Sequence, residues 1–362
     1  MEYFLKKDYL TVISFIVWFR MIANYNHKSE TRIIGKIRFL SLFFLVSLFF
    51  LHAETFTYDH ALAECDKLDL HPQIPESDGR THTLNKKGAV TALFDYAIQA
   101  FIEFSAWKEV LEIGGTYGDV MLAALKQNKE TKYTLNDIEP RHLFIAAKKL
   151  QKKIQNKELS EDSIKQVNFL QGDITKPEDF KDMGHYDAIL VGRVLHFLNP
   201  KEMKIAIQNI YNLLKPGGRV FVVAITPYVK RYEKFIPIYK KRVEDGIENP
   251  GYVESLLEYV NSDVTTPEQI KNISPEPFFF LDDNVLEKFF ESQGFKVIEC
   301  KMMPLAYNAG KSISWTLDGR ENVILIAEKP IDQKQNDADK NLVDLCNTFF
   351  AFLKDKFQNL FK

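Results

Sequence analysis

The sequence predicts an α/β fold, a doubly wound sheet of mostly parallel strands that ends in an antiparallel C-terminal hairpin. Two observations support this prediction. Short apolar runs alternate with segments of helical periodicity along residues 110–225, which is typical of strands joined by crossover helices and therefore of parallel pairing. Farther on, a helix capped by the acidic run Asp282-Asp283-Asn284 is followed by strands over residues 295–300 and 322–327. These two strands are expected to pair with each other across a loop.

The first strand leads into a turn that is rich in glycine. Residues 110–113 form an apolar run that contains Glu112, and Gly114, Gly115 and Gly118 follow before a helical pattern begins. Glycine permits a positive φ and a close approach of the backbone to a ligand, and the amide groups at a helix start face such a turn. Glu112 can accept hydrogen bonds from a cationic amine or from sugar hydroxyls. The middle glycine of the dinucleotide-binding fingerprint is missing, so an ordinary strand-turn-helix corner is the alternative interpretation.

Acidic residues also follow the next two strands. Asp137 closes the second strand, and Asp173 follows the third. Ligands of open α/β sheets lie outside the carboxyl ends of the strands. We therefore expect Asp137 to hold two ribose hydroxyls and Asp173 to accept a hydrogen bond from an adenine amino group. The fourth strand, residues 186–191, leads directly into Arg193 and His196.

With these motifs in this order, residues 85–330 resemble the class I S-adenosylmethionine-dependent methyltransferases, closest in style to the small-molecule type 11 and type 12 branch. The resemblance implies a Rossmann-like fold and S-adenosylmethionine as the cofactor. The motifs that carry it are Glu112-x-Gly114-x-x-x-Gly118, Asp137, Gly172-Asp173-Ile174, Tyr186-Asp187 with Leu195-His196, and Leu214-Lys215-Pro216-Gly217-Gly218.

The resemblance also implies a cofactor site at the strand ends. Glu112 and the glycine loop are expected to meet the methionine end of the cofactor, and Asp137 is expected to hold the ribose. Ile138 is expected to pack on adenine, and Asp173 and Ile174 to contact the adenine edge. The complete expected set is Glu112, Gly114, Gly115, Gly118, Asp137, Ile138, Asp173, Ile174 and Arg193.

Two residues of the loop depart from the family pattern. Thr116 stands in place of the middle glycine, and Tyr117 precedes the last glycine. A bulky phenol at that position can crowd the methionine moiety or close over it. The departures keep open a second class of function, a non-catalytic or regulatory protein that binds a partner through the insertion at residues 227–280 and a C-terminal helix.

The predicted activity is methyl transfer from S-adenosylmethionine to a small-molecule acceptor. Positioning of the nucleophile supplies much of the rate of such a displacement. An oxygen nucleophile would benefit from a general base, and His196 is the catalytic candidate. The alternative is that His196 belongs to the cavity wall and moves no proton. Arg193 can either neutralise an acidic substrate or form a salt bridge at the rim.

Composition argues against several other classes. The chain has 362 residues, of which 46% are hydrophobic, enough to bury one large core. A formal net charge of −2 argues against a broad nucleic-acid footprint. Cys65, Cys300 and Cys346 are too scattered for a disulfide framework or a zinc site, and the histidines show no ligand spacing, so no metal is expected.

Residues 1–53 are predicted to lie outside the catalytic fold, as a signal or membrane anchor. An apolar run over residues 39–51 follows several basic residues. The run is short for a membrane span of about 20 residues, and it starts late for a signal, so both alternatives stay open. Membrane association through residues 39–53, or export, is expected. The protein is expected to be cytoplasmic if this segment results from a start site placed too far upstream.

Residues 54–330 are predicted to form the methyltransferase domain. Within it, residues 227–280 are a long insertion with many aromatic residues. The insertion is expected above the strand ends, where a lid can exclude water from the reaction, and a surface decoration is the alternative. Residues 331–362 are predicted to form a polar linker and an amphipathic helix.

Overall fold

The computed structural model describes most of the predicted domain. The described residues all lie in the compact unit His52–Lys362. No helix within them is long and apolar enough to cross a membrane. The predictions for residues 1–53 and for the C-terminal helix lie outside the described part of the chain. The described residues are 54–73, 83–84, 93, 95–103, 107–305 and 315–331.

Eight of the described strands form one sheet, and the remaining two form a small antiparallel pair. In chain order the strands are β1 (Glu54–Phe56), β2 (Glu109–Ile113), β3 (Lys132–Asp137), β4 (Val167–Gln171), β5 (Tyr186–Gly192), β6 (Leu214–Ile225), β7 (Tyr252–Val253), β8 (Phe278–Phe279), β9 (Lys296–Met303) and β10 (Asn322–Glu328). The order in the large sheet is β1-β4-β3-β2-β5-β6-β10-β9.

Pairing in the large sheet follows the prediction. Strands β2 to β6 run parallel to one another. Strand β10 lies between β6 and β9 and is antiparallel to both. The mostly parallel sheet with an antiparallel C-terminal hairpin is therefore confirmed.

Helices cover both faces of this sheet, so the doubly wound arrangement is also confirmed. Alternate residues of a strand face opposite sides. Val110 and Leu190 belong to a hydrophobic cluster shared with α1 to α4, whereas Leu111 and Ile189 belong to a second cluster shared with α5 and α8. The helices are α1 (Tyr58–Lys67), α2 (Tyr96–Glu103), α3 (Asp119–Gln127), α4 (Pro140–Gln155), α5 (Pro200–Leu213), α6 (Ile236–Glu244), α7 (Pro267–Lys271) and α8 (Asp283–Ser292).

Local boundaries agree with the sequence at one place and depart from it at another. Asp282 caps α8, because its carboxylate accepts the backbone N–H of Val285 at 2.9 Å. By contrast, the segment Lys215-Pro216-Gly217-Gly218, whose composition is typical of a turn, belongs to β6. Its main chain pairs with residues just beyond β10, since Gly217 N donates to the Lys329 carbonyl at 2.8 Å.

The insertion forms a hydrophobic cluster of its own. Tyr232, Phe235 and Tyr239 are buried together with Phe280, and the Tyr239 hydroxyl donates a short hydrogen bond to Asp282, the cap of α8. Most of the aromatic residues that the sequence placed in a lid therefore hold the insertion together and fix it to the domain.

Candidate active site

A cavity of about 690 Å³ lies at the carboxyl ends of the parallel strands. Its volume is within the range of small-ligand sites, roughly 300–1,000 Å³. We call one side the strand-end wall, which comprises Gly114, Thr116, Asp137, Ile138, Asp173 and Ile174. We call a second group of lining residues the insertion-side wall, which comprises Phe197, Asn199 and Glu202 after β5 together with Tyr252, Glu276 and Pro277 of the insertion.

The three glycines of the loop have different surroundings. Gly114 lies on the strand-end wall and has φ +69°, and a Cβ atom there would lie 2.3 Å from Cγ2 of Val194. Gly115 and Gly118 lie behind the wall. A Cβ on Gly115 would lie 2.2 Å from Cδ1 of Leu135. Because these glycines have no side chains, the loop can lie close to β3 and to the residues after β5.

Thr116 takes a backbone conformation that favours glycine. Its φ is +47°, which costs a residue with a Cβ about 1–2 kcal/mol. Its N–H donates to Oδ2 of Asp137 at 2.9 Å, so the conformation joins the loop to the end of β3. Strained residues held by surrounding structure are common at functional sites.

Tyr117 does not crowd the cavity. Only 1% of it is exposed, and its ring packs edge-on against His142 at a centroid distance of 5.3 Å. The side chain points into the hydrophobic core beside α3 and α4. The expectation that it meets the methionine moiety is therefore wrong in this structure, so one of the two departures that kept open a non-catalytic protein no longer supports it.

Asp137 is the most firmly held acid on the strand-end wall. Oδ2 accepts the Thr116 N–H, and Oδ1 accepts the Glu139 N–H at 2.9 Å. Oδ1 also lies 3.1 Å from Nδ1 of His142. A carboxylate has about four lone-pair sites, so one remains for a ligand hydroxyl after these three bonds.

Three further predicted residues lie on the same wall. Ile138 is 58% exposed, and an aliphatic side chain exposed at a cavity suits the flat face of an aromatic ligand. Oδ1 of Asp173 accepts both the N–H and the hydroxyl of Thr175, at 2.9 and 2.7 Å. Ile174 is buried beside them.

Glu112 departs from its predicted position. It is absent from the cavity lining, and its carboxyl is buried and accepts the hydroxyl of Tyr133 at 2.7 Å. Burial raises the pKa of Glu112 to about 8. The reason is strand alternation, because Ile113 lines the cavity and its neighbour must point to the opposite face of the sheet.

Arg193 is committed to the protein interior. Its backbone has φ +62°, and its guanidinium donates to Oδ2 of Asp95 at 2.8 Å and to Oδ1 of Asn322 at 3.0 Å. The residue contributes to the cavity lining, but its ion pair lies in the interior and not at the rim. Of the two predicted roles, the structure shows a salt bridge.

His196 lies behind the cavity and is not one of its lining residues. Its ring packs between Phe197, at 4.4 Å, and Phe278, at 4.8 Å. Burial, with the nearby charge of Arg193, lowers the pKa of His196 to about 3. A general base works best with a pKa near the operating pH, so this position favours a structural role over the catalytic role that the sequence predicted.

Several lining residues escaped the sequence prediction. His142 lies in the first turn of α4, five residues after Asp137, and Thr83 comes from a distant segment. Asn199 and Glu202 form a capping box at the start of α5. Their Asn-x-x-Glu spacing is a recognisable signal, whereas nothing in the sequence near Thr83 indicates a cavity.

Comparison with known proteins agrees with this architecture. Residues 111–220 match the family described as a methyltransferase domain (Methyltransf_12). No curated protein sequence matches the chain.

Solved structures similar to the chain include three bacterial and archaeal methyltransferases. An S-adenosylmethionine-dependent methyltransferase from Methanosarcina mazei has 16% identity and a TM-score of 0.46, covering 66% of this chain and 99% of that one. An O-methyltransferase family protein from Burkholderia thailandensis has 14% identity and a TM-score of 0.41, covering 66% of this chain and 55% of that one. The N-methyltransferase NodS from Bradyrhizobium japonicum, in complex with S-adenosyl-L-homocysteine, has 16% identity and a TM-score of 0.36, covering 66% and 90%.

The chain thus spans about half the length of the Burkholderia protein. The matched segment and the strand order agree with each other. Residues 111–220 match the methyltransferase domain family, and the mostly parallel sheet that ends in the antiparallel pair β9 and β10 is the Rossmann-like fold expected of such a domain. The strand-end wall fits the expected cofactor, S-adenosylmethionine, chemically, with carboxylates for hydroxyl and amino groups and an exposed aliphatic side chain for a flat ring.

Proposed function

We propose that this chain is an enzyme that transfers the methyl group of S-adenosylmethionine to a small-molecule acceptor. The observation that carries the proposal is the continuity of one cavity between the strand-end wall and the insertion-side wall. Such a cavity lets a cofactor and an acceptor meet away from bulk water. Its volume of about 690 Å³ suits two small ligands and not a folded polymer.

In this proposal the strand-end wall holds the cofactor. The remaining lone pair of Asp137 accepts from one ribose hydroxyl, and Ile138 packs on the adenine ring. Asp173 and Ile174 face the adenine edge, and Gly114 lets the main chain approach the methionine end. Glu112, Gly115 and Gly118 act indirectly by shaping the loop, and Arg193 acts by fixing the end of β5.

The insertion-side wall holds the acceptor. Phe197, Tyr252 and Pro277 offer apolar and aromatic surface there, which excludes water and orients an organic ligand. The bound cofactor supplies an electrophilic methyl group on a sulfonium centre. The residues of the chain contribute binding, orientation and water exclusion, and holding two reactants in contact can supply a large part of the barrier reduction.

Calorimetric titration of the full-length protein with S-adenosylmethionine and with S-adenosylhomocysteine tests the proposal. We expect Asp137→Ala to weaken binding by roughly 1.5–3 kcal/mol, the scale of a hydrogen bond to a charged group. Asp162→Ala is the matched control, because Asp162 is an exposed carboxylate paired with Lys165 on the surface.

The outcomes separate two claims. Absence of binding to the unmodified protein would refute the proposed activity. Binding that is equal in the Asp137 variant and the wild type would refute only the ribose assignment. The acceptor is then sought by incubating the protein with cofactor and candidate small molecules and measuring the S-adenosylhomocysteine released.

A further inference from the structure

His142 connects two parts of the cavity that are far apart in the sequence. Its ring is 1% exposed and belongs to the cavity lining. On one side Nδ1 lies 3.1 Å from Oδ1 of Asp137. On the other side the backbone N–H of Leu84 donates to Nε2 at 3.0 Å. Thr83, adjacent to Leu84, also lines the cavity.

These two contacts determine where the ring carries its proton. The Leu84 backbone nitrogen can only donate, so Nε2 must offer a lone pair. A neutral imidazole has one N–H, and that N–H must then be on Nδ1, where it donates to Asp137. The edge-on ring of Tyr117, 5.3 Å away, packs against the imidazole and helps to hold its orientation.

We propose that His142 is a positioning residue that fixes the Asp137 carboxylate for the ribose and joins it to the covering segment Thr83–Leu84. The inference rests on the proposed function, in which Asp137 binds one ribose hydroxyl. Asp137 is itself almost fully buried, and a buried carboxylate depends on every donor it has. The Nδ1–H of His142 is one of three such donors, and the only one from a side chain among those described above.

Two substitutions of His142 each keep one of its two hydrogen bonds and remove the other. The amide nitrogen of Asn superimposes on Nδ1, so His142→Asn keeps the donor to Asp137 and loses the acceptor for Leu84. The amide oxygen of Gln superimposes on Nε2, so His142→Gln keeps the acceptor for Leu84 and loses the donor to Asp137. His142→Ala loses both. A role limited to filling space would not distinguish the Asn variant from the Gln variant in this way.

The experiment measures the dissociation constants of S-adenosylhomocysteine and of its analogue without the two ribose hydroxyls, by calorimetry on the full-length protein. The ratio of the two constants reports the contribution of the hydroxyls. We expect His142→Ala and His142→Gln to weaken S-adenosylhomocysteine binding about tenfold and to reduce the ratio. We expect His142→Asn to retain most of the ratio, and the analogue to bind all variants almost equally.

A double-mutant cycle gives a second measurement. Because His142 acts on the ribose through Asp137, adding His142→Ala to Asp137→Ala should weaken S-adenosylhomocysteine binding far less than it does alone. Fully additive effects, or a ratio that stays at the wild-type value in His142→Ala, would overturn the positioning role. Equal ratios in the Asn and Gln variants would overturn it as well. If the wild-type protein does not bind S-adenosylhomocysteine, it is the proposed function that fails, and this inference fails with it.

Discussion

The two walls of the cavity are built in different ways. The strand-end wall takes its residues from the ends of neighbouring parallel strands, with Gly114 after β2, Asp137 at the end of β3 and Asp173 after β4. Its carboxylates are held by backbone N–H groups. The insertion-side wall gathers side chains such as Phe197 and Tyr252 from segments about 55 residues apart, so it depends on how the insertion packs.

This difference in construction predicts which substitutions each wall tolerates. A wall made from backbone conformation and fixed hydrogen bonds tolerates few substitutions. No neighbouring group replaces a hydrogen-bond donor that is lost, and no space is available for a Cβ atom that is added. A wall made from apolar side chains offers contacts that are individually small, and changing one alters the shape and not the framework. We therefore expect the strand-end wall to bind one ligand, the cofactor. We expect the insertion-side wall to determine which acceptor molecule binds.

The largest effect is expected from Gly114→Ala. The new Cβ would lie 2.3 Å from Val194 at a φ of +69°, so the loop must move away from its position on the strand-end wall. We expect S-adenosylmethionine affinity to fall by more than about 100-fold, the equivalent of about 2.7 kcal/mol, as measured by calorimetry.

Gly246→Ala is the matched control for this substitution. Gly246 has the same φ of +69° and no atom within 4 Å of the added Cβ. It should lose about 1–2 kcal/mol of stability from backbone strain and keep its cofactor affinity. Equal affinities in the two variants would mean that the loop conformation does not matter to the cofactor.

A second large effect concerns Glu112, which lies beneath the strand-end wall. Its folded-state pKa of about 8 exceeds an unfolded value of about 4.3, so the folded state binds more protons between these two values. The stabilisation is fully present below pH of about 4.3 and is lost as the pH rises through about 8. In urea unfolding, the free energy of unfolding of Glu112→Gln should therefore decrease by roughly 2–4 kcal/mol less than that of the wild type over this pH range.

The comparison that isolates Glu112 is the difference between wild type and variant at each pH. The low pKa of His196 acts in the opposite direction, because its stabilisation is present above pH of about 6.5 and is lost as the pH falls toward 3. That contribution is common to both proteins and cancels. Parallel curves for wild type and Glu112→Gln would show that the carboxyl is not held neutral.

A moderate and selective effect is expected from Tyr252→Ala on the insertion-side wall. Loss of an aromatic contact should raise the KM for the acceptor about tenfold, as removal of a partly buried ring costs about 1.5 kcal/mol. Affinity for S-adenosylmethionine should stay within about twofold. Tyr96→Ala is the control, since Tyr96 is an exposed tyrosine outside the cavity lining. A loss of cofactor affinity in Tyr252→Ala would erase the contrast between the two walls.

The smallest effect is expected from His196→Asn. His196 has a pKa of about 3 and does not line the cavity. Its replacement should therefore lower turnover by less than about tenfold, whereas loss of a general base lowers turnover roughly 10²–10⁴-fold. The pH–rate profile should keep its shape. A larger loss, together with a missing limb near the ordinary histidine pKa of about 6.5, would restore the catalytic role.

The strand-end wall was accessible from the sequence because its signals are local. Asp137 follows an apolar run by a fixed offset, Gly114 marks a turn, and Asp282 precedes a helix that it caps. The parallel pairing of β2 to β6 follows from the regular alternation of strands and helices. Each of these features depends on a few adjacent residues, which is where sequence patterns are informative.

The structure departs from the sequence pattern where the direction of a side chain or a distant contact decides the position of a residue. Glu112 comes just before the loop and Tyr117 lies within it, but strand alternation turns Glu112 away from the cavity and core packing does the same for Tyr117. The position of His196 just after β5 predicts that it lines the cavity, but its neighbour Phe197 lines the cavity instead. The bond between His142 and Leu84 spans 58 residues, and no local pattern encodes it.

Strand β1 has a consequence for how copies of this protein meet one another. Its three residues pair antiparallel with Phe169–Gln171 of β4 and so cover the main-chain groups on that side of the sheet. An uncovered strand edge is a template for pairing with another chain, and proteins commonly protect such edges with a short strand. A shortened chain that begins after Phe56 would leave this side of β4 open, and self-association through it would be expected. A chain that begins a few residues before Glu54 keeps the protection and should remain monodisperse at the same concentration.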